Sequence, residues 1–277
     1  MDKLLYHYCS VDTFKKILEN KTLRFSDVMK SNDSKEIVFL WEKYYKQIDS
    51  QASNKFAVRG LRFTIEQQLN NTAYLSLCFS KDDDSLHIWN CYGDGGIAIG
   101  FDVDKLKLWT KSICMHNYLD PSQPVENTSI AELREITYYD SDNVNDYVRE
   151  VCKNAEFVTH NFNQIFKNAP FAKADFFKDE KEVRIIITIF LSENGSNMLD
   201  FVDSNTGECM PSIKLESKSN EKFHHILFCD MPFDVSMIRS ITIGPNCSLT
   251  KSDLNQLLCI NDINELIEVT KSKGSYR

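Results

Sequence analysis

Apolar and polar positions along the 277-residue chain fall into short, alternating runs broken by stretches of helical spacing. Leu4 to Cys9 alternates and is rich in aromatics, which predicts a strand; Ser10 then stands as an N-cap for a helix through Glu19, with Phe14, Ile17 and Leu18 on one face. Thr22 to Phe25 reads as a second short strand, Ser26 to Ser34 as turn chemistry, and Glu36 to about Ile48 and Lys55 to Gln68 as helices. Thr72 to Ser80 is the clearest central strand. The acidic turn Asp82-Asp83-Asp84 caps a short helix from Ser85 to Tyr92, and Ile97 to Phe101 is again a strand. Arg134 to Tyr139 predicts a strand, Asn143 to Phe166 one long amphipathic helix, and Glu182 to Phe190 a β-branched strand. The remainder to Val269 reads as strands with one helix, Lys251 to Leu258. Strands and helices mix without regular βαβ alternation, so the expected class is α+β, with a mixed, mostly antiparallel sheet flanked by helices. Pro121–Ser129 and Asn194–Asn197 read as loops within a single domain spanning 1–277, its core at about 4–270.

Composition narrows the function classes. Hydrophobic content of 42% with 26% charged residues removes disordered, collagen-like and coiled-coil classes. Forty acidic against 32 basic side chains, a formal charge of −8, argues against broad phosphate-backbone binding, though not against one nucleotide in a local basic pocket. No run approaches the ~18 apolar residues of a membrane helix, and the N-terminus reads as a strand instead of a signal peptide, so no membrane partner is expected. Nine cysteines, without C-x-x-C pairs, fit reduced thiols in a cytoplasmic protein.

Glycine is scarce, and four of the nine are Gly93, Gly95, Gly96 and Gly100. Gly93-Asp94-Gly95-Gly96-Ile97-Ala98 formally fits G-x-G-x-x-A, but a dinucleotide loop needs strand, glycines, helix, and the order here is helix, glycines, strand. A helix C-cap and turn is the plainer account. His87 with Cys91, and His225 with Cys229, are each four apart, yet neither belongs to a standard ligand spacing, and no metal is expected. No G-x-S-x-G elbow or cysteine-protease motif is present. Asp175, Glu180 and Lys181 would serve a nuclease, in a region charged enough to match by chance.

A set distributed along the chain carries more chemistry. His7 sits in the first strand, Ser80 ends a central one, and Trp89 and Tyr92 lie three apart on a short helix. Glu180 and Glu182 are spaced by two, so an extended chain turns both carboxylates to one side, beside an aromatic clamp suited to an oxocarbenium ion. The competing account makes Lys178, Glu180, Glu182 and Arg184 a solvated edge of cross-strand ion pairs.

These residues also carry a resemblance. Leu5-Tyr6-His7-Tyr8, Leu23-Arg24-Phe25-Ser26, Asn32-Asp33 with Glu36, Cys78-Phe79-Ser80, Trp89-x-x-Tyr92-Gly93, Gly100-Phe101, Phe171-x-Lys173, Glu180-x-Glu182-x-Arg184 and Ile243-Gly244-Pro245 together resemble a bacterial family catalogued as a domain of unknown function, number 2971. A further resemblance is to ADP-ribosyltransferases, especially their DNA-modifying toxin branch. It implies a split β-sheet holding NAD as co-substrate, with Glu182 catalytic and Glu180 orienting or deprotonating the acceptor. His7 with Arg24 or Asn32 would hold ribose and phosphates, while Ser80, Trp89 and Tyr92 would bracket the nicotinamide. The acceptor would be protein or nucleic acid, and the setting bacterial or phage conflict, as a toxin or defence effector. Trp89 and Tyr92 stand where such enzymes carry a tyrosine pair. The rival class is a non-enzymatic sensor whose aromatic and charged cleft recognises a ligand or partner chain.

Overall fold

The computed structural model describes residues 3–30, 37–51, 55–93, 96–115, 131–153, 158–191, 198–199, 201–203, 213–219 and 225–274. Strand β1 (Leu4–Cys9) leads to helix α1 (Val11–Asn20), whose cap Ser10 accepts the Thr13 amide, and then to β2 (Thr22–Asp27). Helices α2 (Val38–Gln51) and α3 (Lys55–Asn70) precede β3 (Thr72–Ser80). One α-turn, α4 (Leu86–Ile88), runs on as a π-helical turn over Trp89–Gly93 before β4 (Ile97–Asp102), α5 (Val103–Ser112) and β5 (Ile113–Met115). Next come β6 (Ala131–Glu135), β7 (Thr137–Tyr139), α6 (Ser141–Lys153), α7 (Val158–Asn168), β8 (Ala172–Ala174) and β9 (Glu182–Phe190). Short strands β10 (Met198–Leu199), β11 (Phe201–Asp203), β12 (Ile213–Lys214) and β13 (Glu216–Lys218) lead to β14 (Ile226–Pro232), β15 (Ile238–Ile243), α8 (Lys251–Ile260) and β16 (Glu268–Lys271).

The first, central and late strands stand where alternation puts them, but several expectations change. Arg134–Tyr139 is not one strand: Ile136 is buried and breaks it, donating its amide to the Glu182 carbonyl, so β6 pairs with β9 while β7 turns away to pair with β8. The long helix expected over Asn143–Phe166 is described as α6 and α7, each amphipathic, and residues 154–157 between them lie outside the described residues. The Ser85–Tyr92 helix is one α-turn and a π-turn. β2 continues two residues into the expected turn, and a 3-10 turn follows at Val28–Lys30. Helix α5, not anticipated, starts directly off β4 because Asp102 caps it, accepting the Asp104 and Lys105 amides. The Pro121–Ser129 and Asn194–Asn197 loops lie outside the described residues.

The fold is α+β, built on a ten-stranded, mostly antiparallel sheet in the order β13-β14-β2-β3-β1-β4-β15-β16, with β9 and β6 joined through β3. One edge of β3 carries β9 along its full length. The other edge is shared, because Leu75 and Ser76 pair with β2 whereas Ser80 pairs with Tyr6 of β1. Two strands therefore diverge from one edge, and the sheet forks between them. One face of the sheet is apolar throughout: Leu75, Leu77, Phe79, Val183, Ile185, Ile187 and Ile99 pack with Phe14 and Leu18 of α1, Leu106 of α5 and Leu254 of α8. The other face changes along each strand. Tyr74 and Ile186 lie under α2, α6 and α7, with Trp41, Val144, Val148 and Ile165. Two to six residues further along, the same face of β3 and β9 presents Ser76, Cys78, Ser80, Arg184 and Glu182. No described helix is long and apolar enough to cross a membrane.

Close backbone approach explains part of the glycine cluster. A Cβ on Gly96 would run into the Cys9 carbonyl, the Gly93 carbonyl and Ser10 Cα, all main chain, whereas one on Gly60, exposed in α3, would meet nothing within 4 Å. Gly96→Ala should therefore destabilise the protein by about 1–3 kcal/mol through overpacking. Gly60→Ala should stabilise it by about 0.5–1 kcal/mol through helix propensity. Urea midpoints of the two variants check both signs.

Candidate functional site

At the polar end of that face, side chains from separate elements meet in a closed set of charges. Glu182 and Arg184 project from β9; Lys173 comes from β8, which β7 holds in place by parallel pairing. Glu180 ends a 3-10 turn, Asp175–Glu180, and Lys181 then takes the left-handed conformation (φ 45°) that swings the chain into β9. The two carboxylates thus converge by way of a turn, not by the two-residue spacing of a continuous strand. Lys173 Nζ donates to Glu180 Oε2 at 2.8 Å and to Glu182 Oε2 at 2.7 Å. Arg184 grips Glu182 with two bonds, Nε to Oε1 at 2.5 Å and Nη2 to Oε2 at 3.0 Å, and donates Nη1 to the Pro170 carbonyl. All four charged side chains are buried, so the solvated-edge account fails for Glu180, Glu182 and Arg184.

Above them is a cavity of about 250 Å³. Its lining includes Tyr6, His7, Ser80, Tyr92, Glu180 and Glu182, so the first-strand, central-strand, π-turn and late-strand candidates all meet there. Tyr92, 46% exposed, donates its hydroxyl to Glu180 Oε1 at 2.8 Å. Ser80 Oγ donates to the Glu180 carbonyl and accepts the Asp82 amide, pinning the turn to the end of β3. Alternation sets His7 on the face opposite Tyr6 and Tyr8, at the fork, where its Nδ1 lies 2.9 Å from the Cys78 carbonyl. A carbonyl only accepts, so Nδ1 carries the proton and Nε2 of the neutral ring is an acceptor.

Trp89 is not part of the lining. It is buried under the π-turn, stacked edge-on against Tyr8 at 4.6 Å, and donates Nε1 to Asp84. Asp84 also accepts from Ser272 Oγ and the Lys273 amide, so the turn that carries Tyr92 is tied to the strand-end residues after β16. Arg24 lies away from the cavity, in a two-bond pair with Asp230 and over the Phe228 ring, because alternation in β2 turns it outward next to β14. Asn32 falls outside the described residues. The nuclease set does not assemble: Asp175 pairs with Lys178 and Lys181 with Asp82, and only Glu180 reaches the cavity. Among the described residues no group of three or more His, Cys, Asp or Glu side chains is placed to hold a metal; His87 and Cys91 touch at 4.0 Å. Lys173 and Arg184 complete the site without having been picked out as site residues. The signal was present in Phe171-x-Lys173 and in the i, i+2 spacing of Glu182 and Arg184, which the register makes an inward pair.

Electrostatics fix the charge of Glu182. Burial opposes ionisation of Glu182, but Arg184 and then Lys173 outweigh it and hold the carboxyl down at about 2. Burial lowers the His7 pKa against the bond to Cys78, leaving the ring neutral. Burial raises the Tyr92 phenol, and the Glu180 and Glu182 charges raise it further, so it stays a donor. Tyr138, whose hydroxyl accepts the Glu182 amide, is pushed up to about 12, mainly by burial.

Because the Glu182 pKa is lower folded than unfolded, its contribution to stability is complete above its ordinary 4.5 and is lost as pH falls toward about 2. Thermal midpoints measured between pH 5 and 2 should fall steeply for the natural chain. Glu182→Gln, less stable at neutral pH because Arg184 and Lys173 lose their counter-charge, should show a shallower slope over that window.

A search of curated proteins and of solved structures finds no match to the chain. Residues 88–185, which carry Trp89, Tyr92, Lys173, Glu180, Glu182 and Arg184, match the family model described as protein of unknown function (DUF2971).

Proposed function

We propose that the cavity at the sheet fork binds the nicotinamide riboside half of NAD and that the chain is an ADP-ribosyltransferase-like enzyme. The observation that carries this reading is the convergence of His7, Ser80, Tyr92, Glu180 and Glu182 on one cavity beside a forked sheet. At about 250 Å³ it is near the small end of the ~300–1,000 Å³ usual for ligand sites, fitting a ring with its sugar better than a whole dinucleotide. Tyrosine faces suit the cationic pyridinium ring of NAD. In the transfer, the bond between the ribose and nicotinamide breaks with its electron pair going to nicotinamide, and the acceptor's lone pair closes on the ribose carbon.

The residues divide that work. Glu182, with both oxygens engaged by Arg184 and Lys173, is the fixed negative charge that orders the site. Glu180 is the carboxylate a sugar hydroxyl reaches, by displacing the Tyr92 phenol from Oε1. It is also placed to take the acceptor's proton. This reverses the emphasis on Glu182 that the resemblance implies, and the reason is the saturation of Glu182 by its cations. The acceptor is a protein or a nucleic acid; a role in bacterial or phage conflict belongs to the same proposal. The interlocked, charge-balanced cluster also favours a second reading, a sensor that binds the same ligand without turning it over.

Purified protein incubated with NAD and candidate protein and nucleic-acid acceptors should release nicotinamide, and Glu180→Gln should slow that release by about 100-fold or more. NAD binding with no release under any acceptor would favour the sensor; absence of NAD binding by calorimetry would sink the transferase reading.

A further inference from the structure

The cavity's charge balance says more about its ligand than its shape does. Among the described residues its lining cations are Lys173 and Arg184, and both are committed. Lys173 is shared between Glu180 and Glu182 and lies 5.3 Å from the centre of the Phe177 ring; Arg184 spends its donors on Glu182 and the Pro170 carbonyl. His7 is neutral and already donates to Cys78. Beside the cavity the Asp82, Asp83 and Asp84 charges press on the Tyr8 hydroxyl, which bonds back to that turn. A phosphate brought inside would lose its water, meet two carboxylates and find its would-be partners saturated, a combination whose cost grows as the site dries.

What the lining does offer is the reverse chemistry. Glu180 Oε1 is held by a neutral phenol that another hydroxyl can replace. Tyr6, Tyr8, Phe79 and Tyr92 supply ring faces and edges. Flat apolar surface beside acceptor groups matches a planar ring joined to a hydroxyl-bearing sugar.

We infer that the cavity admits a nucleoside free of phosphate and keeps any phosphate groups of its ligand outside. This rests on the NAD reading for the identity of the ring, but not for the class of ligand. For NAD it means that the pyrophosphate stays beyond the mouth and contributes little to affinity.

Titration calorimetry on the full chain with nicotinamide riboside, NAD, adenosine, ADP-ribose and inorganic pyrophosphate tests it. Nicotinamide riboside should bind within about tenfold of NAD, and pyrophosphate should not compete with either. Competition by pyrophosphate, or ADP-ribose binding as tightly as NAD when adenosine itself does not bind, would overturn the inference while leaving NAD binding intact. Adenosine binding without NAD binding would support it and remove the transferase reading. No binding of any nucleoside would overturn it as well. Glu180→Gln should weaken nucleoside binding by about tenfold or more, whereas Tyr92→Phe, which frees Oε1 and keeps the ring, should bind at least as tightly as the natural chain. If a Glu180→Gln protein with unaltered circular dichroism binds as the natural chain does, the nucleoside sits elsewhere and the inference falls.

Discussion

The structure turns on one requirement, that the charges of Lys173, Glu180, Glu182 and Arg184 be buried together. Each would cost several kcal/mol to take out of water alone, and the cost is offset only when every partner is in place. Arg184 contributes a flat fork that matches both oxygens of Glu182, while Lys173 acts as a point charge that can face two carboxylates at once. Their nominal charges cancel, so the set is stable only as a whole. Its members stand on β8, a 3-10 turn and β9, and Tyr92 of the π-turn closes it. Assembling the charges therefore assembles the cavity wall.

The fork in the sheet is what leaves room for the cavity. Where β1 and β2 part company on the edge of β3, main-chain groups lose their strand partner and need another. The His7 ring supplies one, donating to the Cys78 carbonyl across the gap. Burial of that ring against Phe79 then keeps it neutral, which is the protonation state the bond requires. A residue that fills a gap in the ladder is at the same time part of the lining, so its structural and chemical roles are served by one contact.

Much of this was legible in the pattern of residues, and the exceptions have physical causes. β3 and β9 follow from alternation because each buries one face uniformly, and β1 from Leu5 and Cys9, buried on either side of His7. The polar positions Ser76, Cys78, Ser80, Glu182 and Arg184 break the apolar period on the opposite face, and that break is the trace of the cavity in the sequence. Arg184 escaped notice because a run of alternating charges looks the same in a solvated edge as in a buried pair; the difference lies in Lys173, eleven positions earlier on another strand. Arg24 misled for the opposite reason. Its partner Asp230 is 206 positions away and paired through β14, which no local pattern reveals. The π-turn depends on what the helix packs against, not on its own spacing.

The links around the cavity differ in strength. Gly93 is bare because the Trp89 ring occupies the space a side chain would need; Trp89 is held in turn by Tyr8 and Asp84, and Asp84 by Ser272 and Lys273. Glu182 is held by two cations. Against these, the bond from Tyr92 to Glu180 joins a neutral phenol at a half-exposed site to a carboxylate that keeps Lys173 whether or not the phenol is there. Exchanging it for another hydroxyl leaves every charge paired, so the exchange is close to neutral in free energy. π-turns are frequent at functional sites, and this one presents Tyr92 at a link the set can release without separating charges.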